Sequence, residues 1–271
     1  MGELRTLVDG RGLVESPRWH DGRLYFCDWS AGEVLDGAGA VVARVESLPL
    51  CIAFLPDGTL VAVDSPRGRL LRVAPDGTLA THAELGRAGW NDIAADGRGN
   101  LYVNGAGFDP VAGADFAPGA VSLVAPDGVV RPVADDIAFP NGMLVTPDDS
   151  TLIVADSYGH QLLAFDIAAD GTLAGRRVWA DLGDGVPDGI CVDTEGAVWY
   201  ADVPHKCCVR VAEGGEVLQT VELDRGGFAC ALGGSTLYVT AAEWQGMTAA
   251  EMVTPGSGRL LAIDVDVPGP R

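Results

Sequence analysis

Short apolar runs rich in Val, Leu, Ile, Ala, Tyr and Trp recur along this chain, and Asp, Gly, Ser and Pro break them. Runs of this kind, punctuated by turn residues, predict β-strands joined by tight turns, and no stretch carries the spacing of a long amphipathic helix. The clearest pair starts at Asn141-Gly142-Met143-Leu144-Val145, turns at Pro147-Asp148-Asp149-Ser150 and returns as Leu152-Ile153-Val154-Ala155-Asp156. Five further copies of this hairpin precede or follow it. They begin at Glu15, Leu50, Asn91, Asp188 and Phe228, and their second strands are 24–28, 60–64, 101–104, 198–202 and 237–240. The six lead positions are spaced by 35, 41, 50, 47 and 40 residues. A repeat of about 40–50 residues with strand pairs in each copy is the signature of a β-propeller blade.

Third strands are visible as Gly68–Val73, Gln161–Asp166 and Arg259–Asp264, with Pro75-Asp76-Gly77 and Pro126-Asp127-Gly128 as hairpin turns. The expectation is an all-β, six-bladed propeller forming one domain over residues 1–271. The strand Arg5-Thr6-Leu7-Val8-Asp9 is expected to join the last blade, which closes the ring and removes a free edge.

Composition narrows the function classes. The chain has 271 residues, 48% of them hydrophobic, enough for a sizeable core. Its formal charge is -20, from 38 acidic and 18 basic residues, and Lys206 is its one lysine. Such a surface repels nucleic acid and anionic membrane, so neither is expected as a partner, whereas a cation is. The N-terminus lacks a signal-peptide layout, and no apolar run is long enough to span a bilayer. Cys27, Cys51, Cys191, Cys207, Cys208 and Cys230 fall mostly inside strand-like runs without CxxC spacing, so they read as buried thiols in a cytoplasmic protein. Cys207-Cys208 is carried as a redox-pair alternative, although adjacent cysteines bridge only through a strained ring. The expected state is a monomer or a weak homo-oligomer acting on a small molecule.

In a propeller the first strand of each blade lines the central channel, so the lead positions converge on one mouth. Four of them, Glu15, Asn91, Asn141 and Asp188, carry side-chain oxygens, the donors that Ca²⁺, Mg²⁺ or Mn²⁺ prefer; Zn²⁺ is a fourth candidate. Asn or Asp before Gly is also an ordinary turn former, and Asn141-Gly142 or Asp188-Gly189 alone reads that way. Their agreement in repeat phase favours a ligand role.

These residues sit in motifs that resemble the gluconolactonase / senescence marker protein-30 (regucalcin) superfamily of six-bladed propellers. The motifs are Glu15-Ser16-Pro17-Arg18-Trp19, Trp90-Asn91-Asp92, Phe139-Pro140-Asn141-Gly142 and Pro187-Asp188-Gly189. The resemblance implies Glu15, Asn141 and Asp188 as ligands of one divalent cation, and Asn91 as a contact to substrate or to a metal-bound water. It also implies an Arg two residues before Asn91, where this chain has Gly89. The departure puts a sugar-lactone substrate in doubt, and Trp90 favours a less polar one.

Loops after the second strands add Trp29, Arg67, Phe108, Tyr158, His160, His205 and Trp244 as pocket candidates, each also readable as loop packing. His160 and His205 are candidate proton shuttles. The long loops 105–119 and 241–258 are candidate lids. The expected activity is metal-dependent hydrolysis of a lactone, with Asp188 activating water and Asn91, Trp90, His160, His205 and Trp244 binding substrate. Two alternatives remain open: a metal-dependent propeller enzyme acting on an organophosphate, another phosphoester or a biosynthetic intermediate, and a non-catalytic binding propeller pinned by its metal.

Overall fold

A computed structural model describes residues 2–109, 111–246 and 254–270. It contains six four-stranded antiparallel sheets arranged as the blades of a propeller. After β1 (Arg5–Arg11), the first blade is built from β2 (Val14–His20), β3 (Arg23–Asp28), β4 (Glu33–Asp36) and β5 (Val41–Arg44). Blade two holds β6 (Ile52–Phe54), β7 (Leu60–Asp64), β8 (Arg69–Val73) and β9 (Leu79–Glu84), and blade three holds β10 (Ile93–Ala95), β11 (Leu101–Gly105), β12 (Gly119–Val124) and β13 (Val130–Ile137). Blade four comprises β14 (Pro140–Val145), β15 (Thr151–Asp156), β16 (Gln161–Ile167) and β17 (Leu173–Asp181). Blade five comprises β18 (Pro187–Val192), β19 (Val198–Asp202), β20 (Cys207–Val211) and β21 (Val217–Glu222).

The last blade closes the ring as expected. Its strands β22 (Gly226–Gly233), β23 (Thr236–Ala242) and β24 (Gly258–Asp264) are completed by β1 (Arg5–Arg11), which pairs antiparallel with β24. Arg5 holds Asp264 through two hydrogen bonds of 2.9 Å across that seam.

Side-chain pattern explains the layering. The middle strands are buried on both faces, as in Leu60-Val61-Ala62-Val63-Asp64 and Val198-Trp199-Tyr200-Ala201-Asp202, because neighbouring blades cover them on either side. The outermost strands β9, β17 and β21 are largely exposed and carry polar residues. The core is therefore a set of layers between blades. Leu50, Ile52, Leu60 and Leu71 of blade two meet Cys27, Val34 and Ala43 of blade one, for instance, and Trp199 and Cys208 of blade five meet Cys230, Leu237 and Val239 of blade six.

Turn chemistry is regular too. In the Pro-Asp-Gly turns, Asp57 and Asp76 each accept a backbone N–H two residues on at 2.9 Å, and Gly58 and Gly77 take the left-handed φ of 81° and 82° that the turn needs.

Cys207 and Cys208 are successive strand residues, so their thiols point to opposite faces of β20. Cys207 enters the layer shared with blade four and Cys208 the layer shared with blade six. The redox-pair alternative is corrected on that ground. All six thiols are free, and all but the half-buried Cys191 are buried. Among the described residues no helix is long and apolar enough to cross a membrane.

Candidate functional site

Glu15, Asn141 and Asp188 each lie at the start of an innermost strand, where that strand departs from regular pairing. The register shifts between Glu15 and Arg18 in β2, between Pro140 and Met143 in β14, and between Pro187 and Ile190 in β18. A bulge re-aims the side chains at the point where pairing lapses. Ser16 adopts a left-handed φ of 53° inside the first of these bulges, and its hydroxyl accepts the Ile52 N–H of the next blade at 3.0 Å.

The glycines after Asn141 and Asp188 are not turn glycines. Neither has a positive φ; each instead marks close contact between blades. A Cβ on Gly142 would stand 2.5 Å from the Asp188 carbonyl oxygen, and one on Gly189 would stand 2.2 Å from the Ala229 Cβ. The turn-former reading of these dipeptides is thereby replaced by one of strand-to-strand packing around the channel.

Hydrogen bonds join the polar lead residues across blades. The Asn91 Nδ2 donates to Asn141 Oδ1 at 3.0 Å, and Asn141 Nδ2 donates to Ser157 Oγ at 3.3 Å. Ser157 Oγ in turn donates to the Pro187 carbonyl at 2.7 Å, which carries the chain of bonds to the residue before Asp188. Asn104 donates to the Asn141 carbonyl and accepts the Asp92 N–H at 3.2 Å. Leu50 and Phe228, the two apolar lead residues, are buried in the surrounding walls. Leu50 and Asn91 stand just ahead of their strands, yet Asn91 N still bonds to the Asn104 carbonyl at 2.7 Å and so extends the ladder.

Beneath these groups lies an ion pair that the lead-position pattern did not single out. Arg18 Nη2 donates to Asp92 Oδ1 at 2.7 Å and to the Ile93 carbonyl at 3.1 Å, while Asp92 Oδ2 accepts the Met143 N–H at 2.7 Å. One carboxylate thus ties blades one, three and four together. The signal was present in Asn91-Asp92, where the carboxylate falls one residue after the lead position.

Electrostatics follow from this crowding. Burial, and then the charge of Asp92, pushes Glu15 up to about 8, although the Ser16 N–H and Arg18 both oppose the rise. Burial also holds Asp188 well above the usual carboxylate range, with Glu15, Asp92 and Asp202 adding repulsion and the Asn141 amide opposing it. Asp188 nevertheless keeps some accessible surface. A buried and a half-buried carboxylate that repel one another fit a divalent cation, which removes that repulsion. Asn141 Oδ1 can add a third oxygen, because an amide carbonyl with one donor keeps a second lone pair. Among the described residues no three His, Cys, Asp or Glu side chains gather as a ligand set, so the amide is needed to complete one.

The other candidates occupy distinct places. Trp90 is buried in the layer between blades two and three, and the Arg87 guanidinium lies over its ring at 4.1 Å. Its expected face to a ligand is corrected accordingly: a cation covers it. A Cβ on Gly89 would lie 3.5 Å from Arg87 Nη1, so a guanidinium does reach the neighbourhood of position 89. His160 is exposed, with Nδ1 bonded to the Gly185 carbonyl at 2.9 Å. His205 is also exposed and places Nδ1 3.0 Å from both oxygens of Asp202, which raises the ring's pKa. Each imidazole therefore has a loop partner, which makes the shuttle role less direct than the residue type suggests. Trp244 is half-buried against Leu13, Phe228 and Ala242, and Trp29 Nε1 donates to the Leu50 carbonyl at 2.6 Å. Arg67 pairs with Asp64 at 3.2 Å. Loop 106–118 is described except for residue 110; residues 247–253 of the second candidate lid lie outside the described residues.

The family model for the SMP-30/Gluconolactonase/LRE-like region matches residues 13–243, and the chain belongs to that family. A 6-deoxy-6-sulfogluconolactonase of Pseudomonas putida is 31% identical over 145 residues, 51% of this chain and 50% of that protein. The chain thus matches half the length of that relative. A pentonolactonase of Haloferax volcanii is 28% identical over 276 residues, covering 95% of this chain and 92% of its own. The crystal structure of a calcium-binding protein, regucalcin, from Agrobacterium tumefaciens superposes with a TM-score of 0.81 at 23% identity, over 99% of this chain and 96% of that one, a likeness of fold.

Proposed function

For this member of the SMP-30/gluconolactonase/LRE-like family, we propose hydrolysis of a lactone at the channel mouth, dependent on one divalent cation held by Glu15, Asn141 and Asp188. The observation that carries the reading is the convergence of two mutually repelling carboxylates, one buried and one half-buried, with two amides, from four different blades, on one mouth. The names of the two lactonase relatives support the reaction class, and the calcium-binding regucalcin supports a cation.

A bound divalent cation supplies Lewis-acid polarisation of the ester carbonyl. Asp188 takes the proton of the attacking water through the carboxylate oxygen that the cation leaves free. Asn91, with Nδ2 at the mouth, orients the carbonyl oxygen, and Asn141 fixes Asn91 through their 3.0 Å bond. The Arg18–Asp92 pair lies below and holds the blades that carry these groups.

Purified protein stripped with a chelator is expected to lose lactone hydrolysis and to regain it with Ca²⁺, Mn²⁺ or Zn²⁺. Asp188→Ala is expected to lower kcat by about 10²–10⁴-fold; full activity in that variant would remove Asp188 from the mechanism. Preference for an organophosphate in a mixed substrate panel would move the reading to phosphoester hydrolysis. Thermal destabilisation by the chelator, with no substrate turned over, would leave a binding propeller pinned by its metal.

A further inference from the structure

On the rim between blades three and four, beside the start of the strand that bears Asn141, four aromatic rings meet. Phe139 directly precedes β14, its carbonyl accepting the Ser157 N–H at 3.0 Å, so it stands two residues from Asn141 and is tied to the residue that Asn141 bonds. Tyr158 stacks on Phe139 with centroids 4.6 Å apart and planes at 24°. Phe108 meets Phe139 edge-on at 6.0 Å, and Phe116 lies 5.6 Å from Phe108 and 6.5 Å from Tyr158. Two of the rings are half-buried, but Phe116 is 58% and Tyr158 47% exposed.

The loop that carries Phe108 and Phe116 is narrow at its neck. A Cβ on Gly107 would lie 2.1 Å from the Pro118 carbonyl oxygen, and one on Gly119 would lie 2.5 Å from the Pro140 ring. Its base is therefore packed against the strand that bears Asn141. Asp109 Oδ1 accepts the N–H groups of Val111 and Ala112 at 3.0 Å, which orders the segment between the two phenylalanines. An arrangement of this kind leaves two ring faces in water beside a polar site, and covering such surface is favourable.

We propose that Phe108, Phe116, Phe139 and Tyr158 form a subsite for an uncharged apolar substituent, aryl or alkyl, on the lactone ring. The inference rests on the lactone reading above and specifies its substrate class. Asp109 and Asp115 flank the rings, and the chain carries a formal charge of -20, so an anionic substituent is disfavoured. Within the cluster the Tyr158 hydroxyl is the one side-chain polar group, which suits a polyhydroxylated substituent poorly.

The test compares a phenyl-substituted δ-lactone, δ-valerolactone and glucono-δ-lactone with cation-supplemented protein. Wild type is expected to favour the phenyl lactone over δ-valerolactone in kcat/KM by about tenfold or more, mainly through KM. Phe116→Ala and Tyr158→Ala are each expected to lower that ratio by about tenfold. Equal kcat/KM for phenyl lactone and δ-valerolactone, a preference for glucono-δ-lactone, or an unchanged ratio in both variants overturns the subsite. If no lactone is hydrolysed, the lactone reading fails, and the subsite is judged by calorimetry with uncleaved δ-lactams. Tighter binding of the phenyl δ-lactam than the plain one, lost in Phe116→Ala, sustains it, whereas equal or absent binding sinks it.

Discussion

At the mouth where the innermost strands begin, the channel wall presents Glu15, Asn91, Asn141 and Asp188. At the other end the same strands present Ala53, Ala94, Val145, Val192 and Ala231 around a cavity of about 790 Å³. Arg18, Trp19, His20 and Asp21 line that cavity as well, whereas at the mouth Asn91 bonds to Asn141 and Asn141 to Ser157. The difference lies in the charge at the mouth, where burial and mutual repulsion raise the pKa values of Glu15 and Asp188 and mark a candidate site that the size of a hollow does not. The two ends meet at Arg18, which lines the cavity from below and reaches Asp92 above.

That shared residue gives the largest expected effect. Arg18→Met leaves the Asp92 carboxylate buried without its cation and is expected to cost about 3–5 kcal/mol of stability, read as a lower denaturant midpoint. Arg18→Lys should recover part of it. An unchanged midpoint in Arg18→Met would separate the two ends of the channel and undo the floor described here.

A smaller effect is expected where the bulged strands touch. Gly142→Ala would press a methyl group against the Asp188 backbone and is expected to cost about 1–3 kcal/mol, with hydrolysis falling as the Asp188 carboxyl is displaced. Gly22→Ala, with open space around its Cβ but a left-handed φ of 73°, provides a comparison that strains a turn at the opposite end without displacing the site. Equal loss of hydrolysis in both would remove the special place given to the mouth.

The smallest effect belongs to His205. Its pKa is raised in the folded protein by Asp202, so the charged pair contributes stability that is fully present below the unfolded histidine pKa. That contribution is lost as pH rises through the raised folded value. Since the ring is largely exposed, the His205 contribution, read as the difference in melting temperature between wild type and His205→Gln, should shrink only slightly between about pH 6 and about pH 8, and less at high salt. A pH profile identical in that variant would dissociate His205 from Asp202.

Much of this architecture was legible in the repeat. Hairpins from Glu15 to Phe228 kept their phase because each blade needs an apolar second strand and an Asp- or Gly-rich turn, and the strand at Arg5–Asp9 closed the ring as the count of strands required. The meeting of Asn91 with Asn141 was legible for the same reason. The Arg18–Asp92 pair was not, because its two residues lie 74 apart and neither occupies a lead position. His160 and His205 drew attention by residue type, whereas their partners, the Gly185 carbonyl and Asp202, become visible only once loops are placed. Phe108 and Tyr158 were separate loop candidates; their convergence with Phe116 and Phe139 depends on the neck that Gly107 and Gly119 allow.

The central claim is that Glu15, Asn141 and Asp188 hold one divalent cation at the mouth. Its most direct test is calorimetric titration of Ca²⁺, Mg²⁺, Mn²⁺ and Zn²⁺ into chelator-stripped wild type and into Glu15→Gln, Asn141→Ala and Asp188→Asn. We expect one site per chain for at least one of these ions, weakened about tenfold or more in each variant. Wild type that binds none of the four, or three variants that bind as tightly as wild type, would contradict it.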